Sequence, residues 1–207
     1  RLMNGYPLFF YIINSLLQVP EIYNIIIDTD SSIIKEQVPV FFPQEIVGHK
    51  ITIYDRPEHL RDGGTPTNDL LLNVIQDLNL DADYFIQTHT TNPMLRSITI
   101  QTALKQFLDQ SSDYESLFSV KTHYTRFYTK DGNDLNHNRF KLIPTQDLDP
   151  IYEENSCLYI FTKKTLEKYQ ARIAPKALLF PMNDIESSDI DWEEDFKLVE
   201  QLKKVGL

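Results

Sequence analysis

The stretch ITIYDRPEHLRDGGTPTNDLLLNVIQDLNLDADYFI, Ile51 to Ile86, decides the fold class. Its opening run, Ile51-Thr52-Ile53-Tyr54, is short, apolar and β-branched, as expected of a strand buried on both faces. Leu70, Leu71, Val74, Ile75 and Leu78 then recur at helical spacing, behind Thr67 or Asn68 as a candidate cap, so a helix is expected from there to about Leu78. Tyr84-Phe85-Ile86 reads as the next strand. Strand, helix, strand is the unit of a parallel sheet.

The same alternation extends in both directions. Upstream, Pro7 can open a helix over Leu8 to Leu17, apolar almost all round and therefore expected to be buried, and Ile25-Ile26-Ile27 forms a strand ending in Asp28-Thr29-Asp30. Downstream, a helix from about Ser97 to Leu108 and a strand from Leu117 to Val120 follow. A strand pair at Leu158 to Phe161 and Ala177 to Met182, and a closing helix from about Glu193 to Lys204, end the chain. The expected fold is α/β, a mostly parallel sheet with helices on both faces, whose ligands lie outside the carboxyl ends of the strands. Asp28 to Asp30, Arg56 to Asp69 and His89 to Arg96 each begin where a predicted strand stops. From about Tyr124 to Tyr152 the pattern turns polar and irregular around Lys130-Asp131-Gly132-Asn133, an inserted hairpin or an arm exchanged in a dimer.

The 207 residues suit one domain, and 42% apolar with 24% charged residues is ordinary for a globular chain. The formal charge of −10 argues against nucleic acid as a partner, because the basic residues are scattered rather than gathered into a stripe. One cysteine, Cys157, excludes an internal disulfide, and no apolar run is long enough to span a membrane. The apolar start lacks a small-residue cleavage site, so a cytoplasmic location is expected.

The sharpest chemical signal is Ser188-Asp189-Ile190-Asp191-Trp192, followed by Asp195 and Phe196. In an extended segment residues two apart share a side, so Asp189 and Asp191 present two carboxylates to one point while Ile190 faces inward. Paired oxygens suit Mg²⁺, which keeps waters and takes other ligands from phosphates. The plainer reading is that the two aspartates cap the final helix.

Several separated segments resemble, in order, the acylneuraminate cytidylyltransferases, also called CMP-sialic acid synthetases. They are Leu2 to Leu8, Asp28-Thr29-Asp30, Arg56-Pro57 through Leu60, Thr65 to Asp69, Thr91 to Arg96, Glu154-Asn155 with Tyr159-Ile160-Phe161, and Asp189 to Phe196. The resemblance implies a nucleotide-diphospho-sugar transferase type of fold and transfer of CMP from CTP to the anomeric hydroxyl of a nonulosonic or related 2-keto acid sugar. It implies Mg²⁺ or Mn²⁺ held by Asp189 and Asp191 as metal and catalytic residues, a nucleotide pocket lined by Arg56, Thr65, Thr67, Thr91 and Asn92, and sugar contacts from His89, Asn155 and Tyr159. It also implies a homodimer joined through an arm at 124–153. Each residue has a plainer reading: an ion pair for Arg56, a helix cap for Thr67, a turn at Asn92-Pro93, and core for Tyr159. Two other functions are compatible with the same residues, a metal-dependent glycosyltransferase using Asp28 and Asp30, and a non-catalytic nucleotide- or sugar-binding homologue.

The sequence departs from that family in four places. The family's first strand and glycine-rich phosphate loop precede the segment matching Leu2, so residues 1–207 are expected to be a single cytidylyltransferase domain lacking that strand and loop, an incomplete part of a longer protein, with a truncated, catalytically weak homologue as the alternative. His89 stands where the family has glutamine. A basic residue that pairs with the sugar carboxylate is replaced by Thr145 before Gln146-Asp147-Leu148, and Ala171-Arg172-Ile173 stand where paired aromatic residues precede Ala174-Pro175. Arg139 or Lys141 is a candidate to restore the lost charge.

Overall fold

The computed structural model describes residues 1–206. The chain opens with a small hairpin, β1 (Leu2–Met3) and β2 (Tyr6–Pro7), turned at Asn4 and Gly5, both at positive φ as a two-residue turn requires. Helix α1 (Leu8–Leu17) follows directly and buries Phe9, Ile12, Ile13 and Leu16. Strand β3 (Ile25–Thr29) pairs in parallel with β4 (Ile51–Asp55), and α2 (Ser32–Phe41) and α3 (Pro43–Val47) connect them. Helix α4 (Thr67–Asp77), β5 (Phe85–Thr88), α5 (Ser97–Asp109) and β6 (Ser116–His123) continue the alternation. After the irregular segment come β7 (Ile151–Phe161), α6 (Lys163–Tyr169), β8 (Ala177–Met182) and α7 (Glu193–Lys204).

The fold is α/β as expected, but beyond the opening hairpin the strands form two ladders in place of one sheet. One is β3–β4; the other is four-stranded, in the order β5-β7-β6-β8. No backbone ladder joins them among the described residues, and a common apolar core holds them together, with Ile25 and Ile51 packed in one cluster with Leu117, Leu158 and Ile160. In the larger ladder β6 and β8 are parallel, while β7 runs against both β5 and β6. The reason lies in the connection. β7 is reached from β6 through the 124–150 segment, and that return needs no crossover helix, so an antiparallel partner results.

The 124–150 segment contains a single bridge, Tyr128 to Asp134, around a turn with Gly132 at φ +76. Asn136 holds its base: its side chain accepts from the Phe127 N–H at 2.9 Å and donates to the Thr125 carbonyl at 2.8 Å. β7 is longer than predicted and irregular. Between the pairs Phe118–Tyr159 and Val120–Glu154 the ladder is broken, and Ser156 there adopts φ +58. Such a bulge re-aims side chains, and it carries Asn155.

Candidate active site at the strand ends

Asp189 and Asp191 lie in the extended segment between β8 and α7. Ile190, between them, packs with Met3, Met94 and Phe196, and its N–H donates to the Thr91 carbonyl at 3.0 Å. That bond ties the segment carrying both aspartates to the turn after β5, and Ile190 faces inward as expected. The helix-cap reading fails for both aspartates. α7 is capped by Asp195, whose carboxylate accepts from the Trp192 N–H at 2.8 Å and the Asp191 N–H at 3.2 Å. Asp189 accepts only from the Ile190 N–H, at 2.9 Å, and no hydrogen bond to the exposed Asp191 carboxylate is found among the described residues. Two oxygen donors with open coordination fit a hard divalent cation that completes its shell with water and phosphate. No group of three or more metal-ligating side chains occurs among the described residues, so such an ion would take two protein ligands here.

His89 sits at the end of β5, half-buried, between Asp189 and Arg172. Burial lowers its pKa most, the nearby Arg172 charge lowers it further, and Asp189 pulls it the other way. A short chain of contacts settles its protonation. Arg172 NH1 donates to Gln87 Oε1 at 2.7 Å, so the Gln87 amide nitrogen, 2.8 Å from His89 Nε2, must donate to it. His89 is therefore neutral, with its proton on Nδ1.

Beside this chain is a cavity of about 320 Å³ lined by Thr67, Asn68, Glu154, Ala171, Arg172 and Ile173. Thr67 is the first residue of α4 and not its cap, because Pro66 holds that position without a side-chain bond. Asn68 accepts the Arg172 N–H at 3.1 Å, tying α4 to the segment after α6. Tyr159, expected in the sugar pocket, lies wholly beneath it at 0% exposure, with its ring 3.7 Å under the Arg172 guanidinium. Its hydroxyl donates to Glu154, and burial followed by that bond pushes its pKa up to about 12.

Asn155 is also largely committed inside the protein. Its Oδ1 accepts from Ser119 Oγ at 2.6 Å and from the Cys157 N–H at 3.3 Å, and its Nδ2 donates to Ser187 Oγ at 3.0 Å. Asn92 is fully buried, with neither side-chain amide atom hydrogen-bonded among the described residues, an arrangement that costs folding energy where it occurs. Cys157 is buried, and its thiol is pushed up to about 12 by burial first and then by Asp189 and Glu186, so it is no nucleophile.

Arg56 and Thr65 are not joined to this cavity by any hydrogen bond among the described residues. Arg56 closes the end of the β3–β4 ladder, its Nε donating to Asp28 at 3.0 Å. With Asp28 so paired and Asp30 exposed, these two do not form an open carboxylate pair. Arg139, a candidate for the missing basic residue, is bound to Asp134 at 2.7 Å and to the Gly132 carbonyl within its own segment. The cation that the structure places at the cavity is Arg172, which sequence reading recorded only as a departure from paired aromatics.

A family model described as cytidylyltransferase matches residues 1–205. An N-acylneuraminate cytidylyltransferase of Streptococcus agalactiae serotype V is 23% identical over 206 residues, covering 94% of this chain and 46% of the relative. The serotype III protein of the same name is 23% identical over 204 residues, covering 93% and 46%. The chain thus spans about half the length of the curated relatives it matches. Among solved structures, a CMP:2-keto-3-deoxy-manno-octonic acid synthetase complexed with CTP has a TM-score of 0.68 at 14% identity, covering 100% of this chain and 91% of that one. A 4-diphosphocytidyl-2C-methyl-D-erythritol synthase from Anaerococcus prevotii has 0.67 at 11%, covering 98% and 88%. With the family model matching nearly end to end and the same fold in these structures, the chain belongs to the cytidylyltransferase family.

Proposed function

We propose that this chain carries the active site of an enzyme that transfers CMP from CTP to the anomeric hydroxyl of a nonulosonic or related 2-keto acid sugar, releasing pyrophosphate. The observation that carries this reading is the Ile190 N–H to Thr91 carbonyl bond, which seats the Asp189 and Asp191 carboxylates at the strand end where α/β folds bind ligands. The names of the curated relatives support an acylneuraminate-like acceptor, and the CTP-bound synthetase among the similar structures supports CTP as donor.

In the reaction the sugar hydroxyl oxygen forms a bond to the α-phosphorus as the bond from that phosphorus to the bridging oxygen of pyrophosphate breaks. Transfers of this kind depend on alignment and on neutralising charge. Asp189 and Asp191 would hold Mg²⁺ or Mn²⁺, which supplies positive charge to the phosphates. Thr67 and Asn68 line the adjoining cavity, and neutral His89 offers an N–H from Nδ1 between the cavity and the carboxylate pair. Tyr159 and Asn155 act from beneath, holding Arg172 and the segment leading to Asp189 in place.

A homodimer is the second part of the proposal. Phe140 is 92% exposed and Leu142 69%, with Tyr124, Tyr128 and Leu135 also exposed on the same 124–153 arm. Exposed apolar side chains concentrated on one segment support this reading. The test of the main reading is pyrophosphate release by the full-length protein with CTP, Mg²⁺ and a panel of acid sugars. Release should require both CTP and one acid sugar; release without a sugar, or none with any, contradicts it.

A further inference from the structure

We infer that Arg172 anchors the carboxylate of the acid sugar from within its own subunit, an assignment that rests on the acid-sugar reading above. Three contacts hold the residue, two of them at its guanidinium. The Tyr159 ring lies 3.7 Å below its plane, Gln87 Oε1 takes NH1 at 2.7 Å, and Asn68 fixes its backbone at 3.1 Å. The side chain is 15% exposed, at the wall of the 320 Å³ cavity. Of its five N–H donors only one is used by Gln87, and no other side-chain hydrogen bond is found for it among the described residues. Glu154 Oε1, the carboxylate oxygen nearest to it, is 3.9 Å from NH2, beyond hydrogen-bond reach, and already accepts from the Tyr159 hydroxyl.

A planar donor fork, preorganised over an aromatic face with an unused edge toward a cavity, matches a carboxylate bidentately. Arg172 is the only cation among the lining residues and Glu154 the only anion, so the attraction for an anion is concentrated at the fork. Glu154 is left as an acceptor for sugar hydroxyls. Lysine in this place would keep the charge and lose the fork.

The experiment measures steady-state KM in the full-length protein for N-acetylneuraminate, for 3-deoxy-manno-octulosonate, for the carboxamide of whichever is used, and for a sugar phosphate without a carboxylate. Arg172→Met, which keeps an apolar stem on Tyr159, should raise the acid-sugar KM about 10- to 100-fold with the CTP KM unchanged, and Arg172→Lys should fall between. The wild type should prefer acid to carboxamide, and Arg172→Met should erase the preference. An unchanged acid-sugar KM, or a preference kept by the variant, overturns the assignment while leaving the transfer reaction standing. Use of the sugar phosphate in place of the acids overturns the carboxylate as its ligand. Failure of every acid sugar with the wild type instead overturns the acid-sugar reading, and the assignment falls with it. Should Arg172→Met not fold, the wild-type preference and Arg172→Lys decide: equal use of acid and carboxamide, or a Lys variant with unchanged KM, rejects it.

Discussion

Asp189, Asp191 and Asp195 are three aspartates within one short segment, and their geometry divides the work among them. Asp195 accepts the N–H groups that open α7, so the other two aspartates do not cap it, and the proposed reaction gives them a metal ion. The inward packing of Ile190 was legible because a period of two with an apolar centre already implies it. The roles of Tyr159 and Asn155 were less legible, since burial beneath a pocket and lining it leave the same trace in sequence. Arg172 was hidden because its position depends on α4, β5 and β7, none of them near it in the chain. His89 gives a direct residue-level check. Burial and Arg172 hold its pKa below the ordinary 6.5, so in the window between its folded value and 6.5 the unfolded chain binds more protons. Its contribution is intact above 6.5 and is lost as pH falls toward the folded value. An NMR titration should place His89 below 6.5 and move upward in Arg172→Met; a value at or above 6.5 in the wild type contradicts the neutral assignment.

At the scale of elements, α1, α4, α5 and α7 and strands β3, β4, β5 and β8 follow from apolar spacing and sit within a few residues of their expected bounds. Helix α2 went unread because Pro39 lies inside it and interrupts the helical signal. The seven-residue α6 is too short for periodicity to register. Asn4-Gly5 is a strong turn signal, yet the β1–β2 hairpin it closes has only two residues in each strand, too few to show alternation. β7 was read only over Leu158 to Phe161 of its 11 residues because the bulge around Asn155 breaks its alternation. The capping assignment predicts that Asp195→Ala costs about 1 kcal/mol in urea unfolding, as loss of a side-chain cap does, while Asp191→Ala leaves stability nearly unchanged. Equal losses in the two variants would return Asp191 to a structural role.

Across the whole molecule, alternation predicted layers correctly and could not predict ladders. Apolar patterning reports which segments are buried, whereas hydrogen-bond partners depend on which strands arrive side by side, and the two ladders share a core without sharing a register. The 124–153 segment was visible as a loss of pattern, and Phe140 and Leu142 are exposed on it, the side chains that the proposed dimer would cover. Sedimentation of the full-length protein should show a dimer, and Phe140→Asp should shift it toward monomer, because a carboxylate buried at an interface is strongly disfavoured. A wild-type monomer, or a variant that dimerises equally well, would remove the arm from this role.

The first measurement is pyrophosphate release by the full-length wild type, Asp189→Asn and Asp191→Asn, with CTP, Mg²⁺ and an acid sugar. A metal-holding carboxylate pair predicts turnover dependent on both substrates and on Mg²⁺, lowered about 100-fold or more in each variant with melting unchanged. Turnover that survives in both variants would contradict it.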